Sequence, residues 1–148
     1  MPVSDPTCIF CRIVAGEIPA SFVHRGATAT AFLDIAPLTP GHLLVIPNDH
    51  HASLAETRVE TWAHVMRIAR RIAVALRASA FAADGVNLFV ADGEVAGQEV
   101  PHVHVHVIPR SAGDGFRIAS GPAGGPAPAR DELDRQAAAI RSAIGDER

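Results

Sequence analysis

The residues with the most chemistry in this chain are three histidines at alternate positions, His102, His104 and His106, separated by Val103 and Val105 and followed by Val107 and Ile108. Successive side chains of an extended strand point to opposite faces, so the run predicts a strand from His102 to Ile108. Three imidazoles lie on one surface of it and three valines on the other. At about 3.3 Å per residue the outer two histidines are roughly 13 Å apart. One metal ion cannot take both from a straight strand. At least one imidazole is therefore left for something other than metal binding. A second pair is Cys8 and Cys11. On a helix their Cys-x-x-Cys spacing brings both thiols to one face, where they can give two thiolates to a tetrahedral zinc ion, with two more ligands to come from elsewhere. The bland readings are a solvated strand face and two core thiols. A metal-dependent hydrolase is open as well, with His102 and His104 as ligands beside His50 or His51.

The elements that must position these groups can be read in order. The 148 residues suit one domain of ordinary size. Asp5-Pro6 predicts the N-cap and first turn of a short helix through Val14, ended by Gly16, with Cys8 and Cys11 on one face and Ile9 and Ile13 on another. Ser21 to Arg25 and Thr28 to Asp34 read as a hairpin about Gly26-Ala27, and His42 to Pro47 as a third strand buried on both faces. Thr57 and Glu60 have capping-box spacing and predict the start of the longest helix, to about Ser79, with Trp62 and Met66 in the core. Val86 to Val90 is a strand that pairs antiparallel with the histidine strand. Gly121 to Pro128 reads as an irregular Pro/Gly-rich segment, and Asp131 to Ile144 as a terminal helix. The order predicts an α+β fold with a mostly antiparallel sheet.

Composition narrows the partners. A net charge of -3 with dispersed Arg offers no basic face for a nucleic-acid backbone, so a small ligand is expected. The N-terminal Met1 to Pro6 has acid and proline where a secretory signal needs positive charge and an apolar run, and no stretch is apolar over the length of a membrane span. A cytoplasmic protein with no membrane partner is expected, its cysteines reduced or bound to metal.

With the histidines placed, the run from His102 to Ile108 resembles the signature of the histidine triad (HIT) nucleotide hydrolases and transferases. Further stretches agree in order: Cys8 to Val14, Ala31 to Pro37, Pro40-Gly41-His42, Val45-Ile46-Pro47, Ala96-Gly97-Gln98 and Pro109-Arg110. The likeness covers roughly residues 7 to 116. It implies a HIT-like fold, a five-stranded sheet with a long helix that forms a two-fold homodimer with one continuous sheet. Residues 1–118 would form the nucleotide-binding domain, and 119–148 the Pro/Gly-rich segment and C-terminal helix.

The resemblance also implies roles. His104 attacks the α-phosphorus of a purine nucleotide, either a phosphoramidate or a dinucleoside polyphosphate, and forms a nucleotidyl-histidine that water cleaves to a nucleoside monophosphate. Imidazolium charge at His102 or His106 would keep His104 neutral and offset the phosphate's charge. His106 and Gln98 contact phosphate and leaving group, and Glu99 stands where many relatives carry Ser or Thr beside that group. Asp34 holds the ribose hydroxyls. Ile9, Phe10, Ile13, Phe32 and Ile35 line an apolar base pocket. His50 and His102 join Cys8 and Cys11 around one structural zinc per chain, His51 being the local competitor for His50, and the chemistry itself needs no cofactor. A non-catalytic nucleotide-binding module would use the same pocket.

Overall fold

A computed structural model of the chain describes residues 3–118 and 126–145. Contacts divide it into two units, 1–116 and 117–148. In the first, helix α1 (Ile9–Val14) is followed by strands β1 (Phe22–Arg25), β2 (Ala29–Leu33) and β3 (Leu43–Pro47). Helix α2 (Val59–Ala78), β4 (Gly85–Phe89) and β5 (Val105–Arg110) complete it. The second holds helix α3 (Arg130–Ile144). Much of the segment expected to be irregular, Gly121 to Pro128, lies outside the described residues. No helix among the described residues is long and apolar enough to cross a membrane.

The five strands form one sheet in the order β1-β2-β3-β5-β4, every neighbouring pair antiparallel. This is the expected α+β architecture. Strand periodicity sorts the side chains to two faces. On one, Ala29, Ala31, Leu43, Val45, Val105 and Val107 pack against Val65, Ile68, Ala69, Ile72 and Leu76 of α2, with Trp62 and Met66 at the margin. Each large aliphatic chain buried there contributes roughly 1.5–3 kcal/mol. On the other face Phe32, Leu44 and Ile46 meet Cys8, Phe10, Cys11 and Ile13. The imidazoles stand on this second face, and α1 covers it.

Three local expectations are corrected. Asp5 does not cap α1: its carboxylate takes the Thr7 amide (2.8 Å) and hydroxyl (2.7 Å), the helix starts at Ile9, and Cys8 is its N-cap. The Thr57 capping box does not form, because Thr57 Oγ1 donates to the Ser53 carbonyl (2.8 Å) and Arg58 becomes the N-cap of α2. The histidine strand starts three residues late, at Val105. The His102 amide goes to Val100 O (2.8 Å) and the Val103 amide to His51 O (2.7 Å), so the backbone there bonds to loops and not to β3.

Two anchors hold the ends of this arrangement. Gly41 has φ +87°, and a Cβ there would lie 3.1 Å from the Phe81 ring and 3.2 Å from Pro109, which makes glycine necessary before β3. Arg110 closes β5 with both carboxylate oxygens of Asp114 (2.6 and 2.9 Å) and with Asn87 Oδ1 (2.7 Å). The guanidinium holds the Asp114 carboxyl far below the usual carboxylate range.

Candidate active site and metal centre

Late entry into β5 splits the three histidines between two sites. His104 and His106 stay together, ring centroids 4.8 Å apart, while His102 turns its Nδ1 to the thiols of α1. Phe10 packs edge-on against His104 at 5.3 Å and against Phe32 at 5.5 Å.

Hydrogen bonds fix the tautomers around His104 and His106. His104 Nδ1 donates to the main-chain carbonyl of His102 (2.7 Å), which leaves the Nε2 lone pair free. The Leu38 amide donates to His42 Nδ1 (3.0 Å), so in neutral His42 the proton is on Nε2. His42 Nε2 then donates to His106 Nδ1 (2.9 Å), and His106 carries its own proton on Nε2. A lone-pair nucleophile thus stands beside an N–H donor. Asp34 Oδ2 lies 3.6 Å from His42 Nε2 and Asp34 Oδ1 accepts the Ala36 amide (2.9 Å). The motifs of the sequence assign His42 no role of its own. A signal for it exists: two-residue periodicity puts it on the face of Leu44, which pairs with His106.

Burial keeps these rings neutral. It pushes His106 down to about 4, with the nearby His104 and His42 adding to the effect, and it lowers His104 and His42 as well. His102 is likewise pushed down to about 4, chiefly by burial. The imidazolium expected at His102 or His106 is therefore absent at neutral pH. His104 is neutral because it is desolvated.

Two groups of donor atoms within 4.8 Å of one another occur among the described residues, Cys8–Cys11–His50–His102 and Asp34–His42–His106. The first fits zinc. Tetrahedral Zn–S and Zn–N bonds place sulfur and nitrogen about 3.5 Å apart. Here Cys8 Sγ to His102 Nδ1 is 3.5 Å, Cys11 Sγ to His50 Nδ1 is 3.4 Å and Cys11 Sγ to His102 Nδ1 is 3.7 Å. His102 Nε2 donates to Pro47 O (2.9 Å), which frees its Nδ1 as a ligand, and His50 Nε2 lies 4.0 Å from Asp5. Burial pushes the Cys8 thiol up, so its thiolate needs a compensating cation. The second group fits poorly, because the Leu38 amide occupies His42 Nδ1 and leaves a proton on the Nε2 that would have to ligate. His51 gives its carbonyl to Val103, and neither it nor His104 belongs to either group, so the ligand set His102, His104 and His51 is not assembled.

The remaining candidates divide. Phe10, Ile13 and Phe32 are buried in the core, whereas Ile9 and Ile35, the latter 100% exposed, offer open apolar surface. The Gln98 carboxamide is taken up by backbone, its Nε2 donating to Ala52 O (2.8 Å) and Val100 O (3.1 Å) and its Oε1 accepting from Gly93 (2.7 Å). It braces the loop before the histidines. Glu99 is exposed, and its charge acts on His104 in the direction that favours protonation.

Comparison with known proteins agrees with this geometry. The HIT domain model matches residues 15–113. The chain is 38% identical over 104 residues to the adenosine 5'-monophosphoramidase hnt1 of Schizosaccharomyces pombe, covering 70% of this chain and 74% of that protein. The crystal structure of SMU.412c from Streptococcus mutans superposes with a TM-score of 0.88 at 40% identity, over 97% of this chain and 89% of that one. A Zn-bound histidine triad family protein from Mycobacterium smegmatis does so with a TM-score of 0.73 at 38% identity, over 95% and 98%. With the histidine run, the sheet order and the matched span in agreement, the chain belongs to the HIT domain family.

Proposed function

We propose that the protein is a nucleotide hydrolase that acts at the α-phosphate through a nucleotidyl-His104 intermediate and releases a nucleoside monophosphate. The observation that carries this reading is the pair of opposed tautomers, a free Nε2 lone pair on His104 beside an Nε2–H on His106. His104 Nε2 attacks phosphorus while its Nδ1–H stays on the His102 carbonyl, which stabilises the positive charge that develops on the ring. The bond to the leaving group breaks and its electron pair goes to the departing atom, a phosphoramidate nitrogen leaving as the neutral amine from its protonated form while His106 Nε2–H hydrogen-bonds it. Water then attacks phosphorus, the phosphorus–nitrogen electron pair returns to His104 Nε2, and the water proton leaves with the nucleoside monophosphate or to solvent. The name of the S. pombe relative favours a nucleoside 5'-phosphoramidate as substrate, with a dinucleoside polyphosphate as the competing class. Asp34 holds the ribose, and Ile9 and Ile35 cover the base. One structural zinc per chain sits among Cys8, Cys11, His50 and His102, supplying cross-linking and no chemistry, and the working form is a homodimer. Mass spectrometry of protein quenched with adenosine 5'-phosphoramidate or a diadenosine polyphosphate should show an adenylyl adduct on His104. Hydrolysis with no adduct on any histidine would overturn the mechanism.

Two further outcomes follow from the site. Asp34→Ala should weaken binding of AMP by about tenfold or more, as expected for two lost hydrogen bonds to a charged acceptor, and binding of 2',3'-dideoxy-AMP hardly at all. Equal losses for both ligands would make Asp34 structural. The acid limb of kcat/KM should lie below the ordinary imidazole value of about 6.5, because burial lowers the pKa of His104, whose Nε2 must be unprotonated to attack. Activity is then kept as the pH falls through 6.5 and lost on further acidification. A limb centred at 6.5 would contradict the burial argument.

A further inference from the structure

We propose that His102 is a positioning residue that ties the Cys8–Cys11–His50 donor cluster to the nucleophile; the inference rests on the assignment of His104 as nucleophile. The peptide between His102 and Val103 is the joint. Its carbonyl accepts the His104 Nδ1–H at 2.7 Å, and its N–H donates to the carbonyl of His51 at 2.7 Å, next to the cluster residue His50. That peptide lies outside the sheet ladder, since β3 and β5 pair only from Val105 onward. The ladder does not set its orientation. The side chain of His102 does, held with no solvent exposure between the thiols of Cys8 and Cys11 (3.5 and 3.7 Å) and the carbonyl of Pro47 (2.9 Å).

The cluster therefore grips the peptide from both ends, through the His102 ring on one side and the segment His50-His51 on the other. The carbonyl so aimed selects the Nδ1–H tautomer of His104. A free neutral imidazole side chain favours the other tautomer, with its proton on Nε2, and that form has no lone pair on the attacking atom. Loosening the cluster lets the peptide tilt, and His104 then redistributes toward Nε2–H. Asp34, the proposed ribose contact, lies outside the cluster, whereas Ile9, a proposed base contact, adjoins Cys8 on α1. The effect of the tautomer is therefore read on the bond-forming step at saturating nucleotide.

The test compares wild type with Cys11→Ser and His50→Gln, each confirmed as folded by circular dichroism, so that failure of one variant to fold leaves the other. Zinc content is measured directly, the His104 tautomer is read from long-range ¹H–¹⁵N correlations at pH 8, and AMP affinity is taken by calorimetry. Single-turnover adenylylation is followed with adenosine 5'-phosphoramidate. Variants that have lost zinc should show a growing Nε2–H population at His104 and single-turnover rates down by about tenfold or more at substrate concentrations that saturate each variant by its calorimetric affinity. Loss of zinc with His104 still wholly Nδ1–H and a rate within about twofold of wild type would overturn the coupling. So would a wild type free of metal that already holds the Nδ1–H form. A wild type that turns over none of the substrates would defeat the proposed function alone, since the tautomer measurement needs no turnover.

Discussion

Substituting glycine for His104 should lower turnover by about 10⁴-fold or more while AMP affinity stays within a few-fold of wild type. The size of the loss follows from what is removed. His104 is the buried imidazole whose Nδ1–H is committed to a carbonyl and whose Nε2 is free, so no neighbour can take over its bond to phosphorus. His106 cannot substitute: its Nδ1 already accepts from His42, and its Nε2 bears the proton. The expected split between kcat and affinity reflects that Asp34, Ile9 and Ile35, the proposed ribose and base contacts, are untouched. Activity within tenfold of wild type would remove His104 from the role of nucleophile.

The second large effect is on stability. Purified protein should hold about one zinc per chain, and Cys8→Ser or Cys11→Ser should abolish that binding and lower the Tm by about 10 °C or more. Cys8 and Cys11 lie at the start of α1, a helix of only six residues that covers the second face of the sheet. So short a helix has little stability of its own. Zinc on the four donors would join it to the end of β3 through His50 and to the approach to β5 through His102, cross-linking segments more than ninety residues apart in sequence (|i−j| of 94 for Cys8 and His102). Differential scanning fluorimetry with elemental analysis checks both parts. Stoichiometric zinc that survives both substitutions, or metal-free wild type from zinc-replete expression, refutes the site.

Periodicity made much of this legible before any coordinates. Alternation from Val103 to Val107 assigned the valines to a buried face, and all three are fully buried. The spacing of Cys8 and Cys11 marked a pair of sulfur ligands, and the structure brings them together with His50 and His102. What failed did so where the backbone had competing partners. Alternation carries no information on whether the amides of His102 and Val103 will find a strand or a loop, and here loops win. Thr57 had the spacing of a cap, but its hydroxyl had a carbonyl closer to hand. Alternation puts His42 on the face of Leu44, but a single histidine before a strand has no local signature of a function. Its meaning comes from the β3–β5 register and from the Leu38 amide, both products of the folded chain.

The Asp34 amide donates to the carbonyl of His42 at 3.0 Å and closes the loop 35–41 at its neck. One end of that loop carries the carboxylate assigned to the sugar, and the other the imidazole that fixes the proton on His106. Within the loop, Leu38 also supplies the amide that sets the His42 tautomer. With Asp34 on the ribose as proposed, sugar choice and proton placement would vary together as one cassette. A graft that exchanges this loop for one of another length would not alter ribose preference alone, because it would also reset which nitrogen of His106 bears hydrogen. On the proposed reading, redesign of nucleotide selectivity is better directed at Ile9, whose exposed side chain lies on α1, outside that loop.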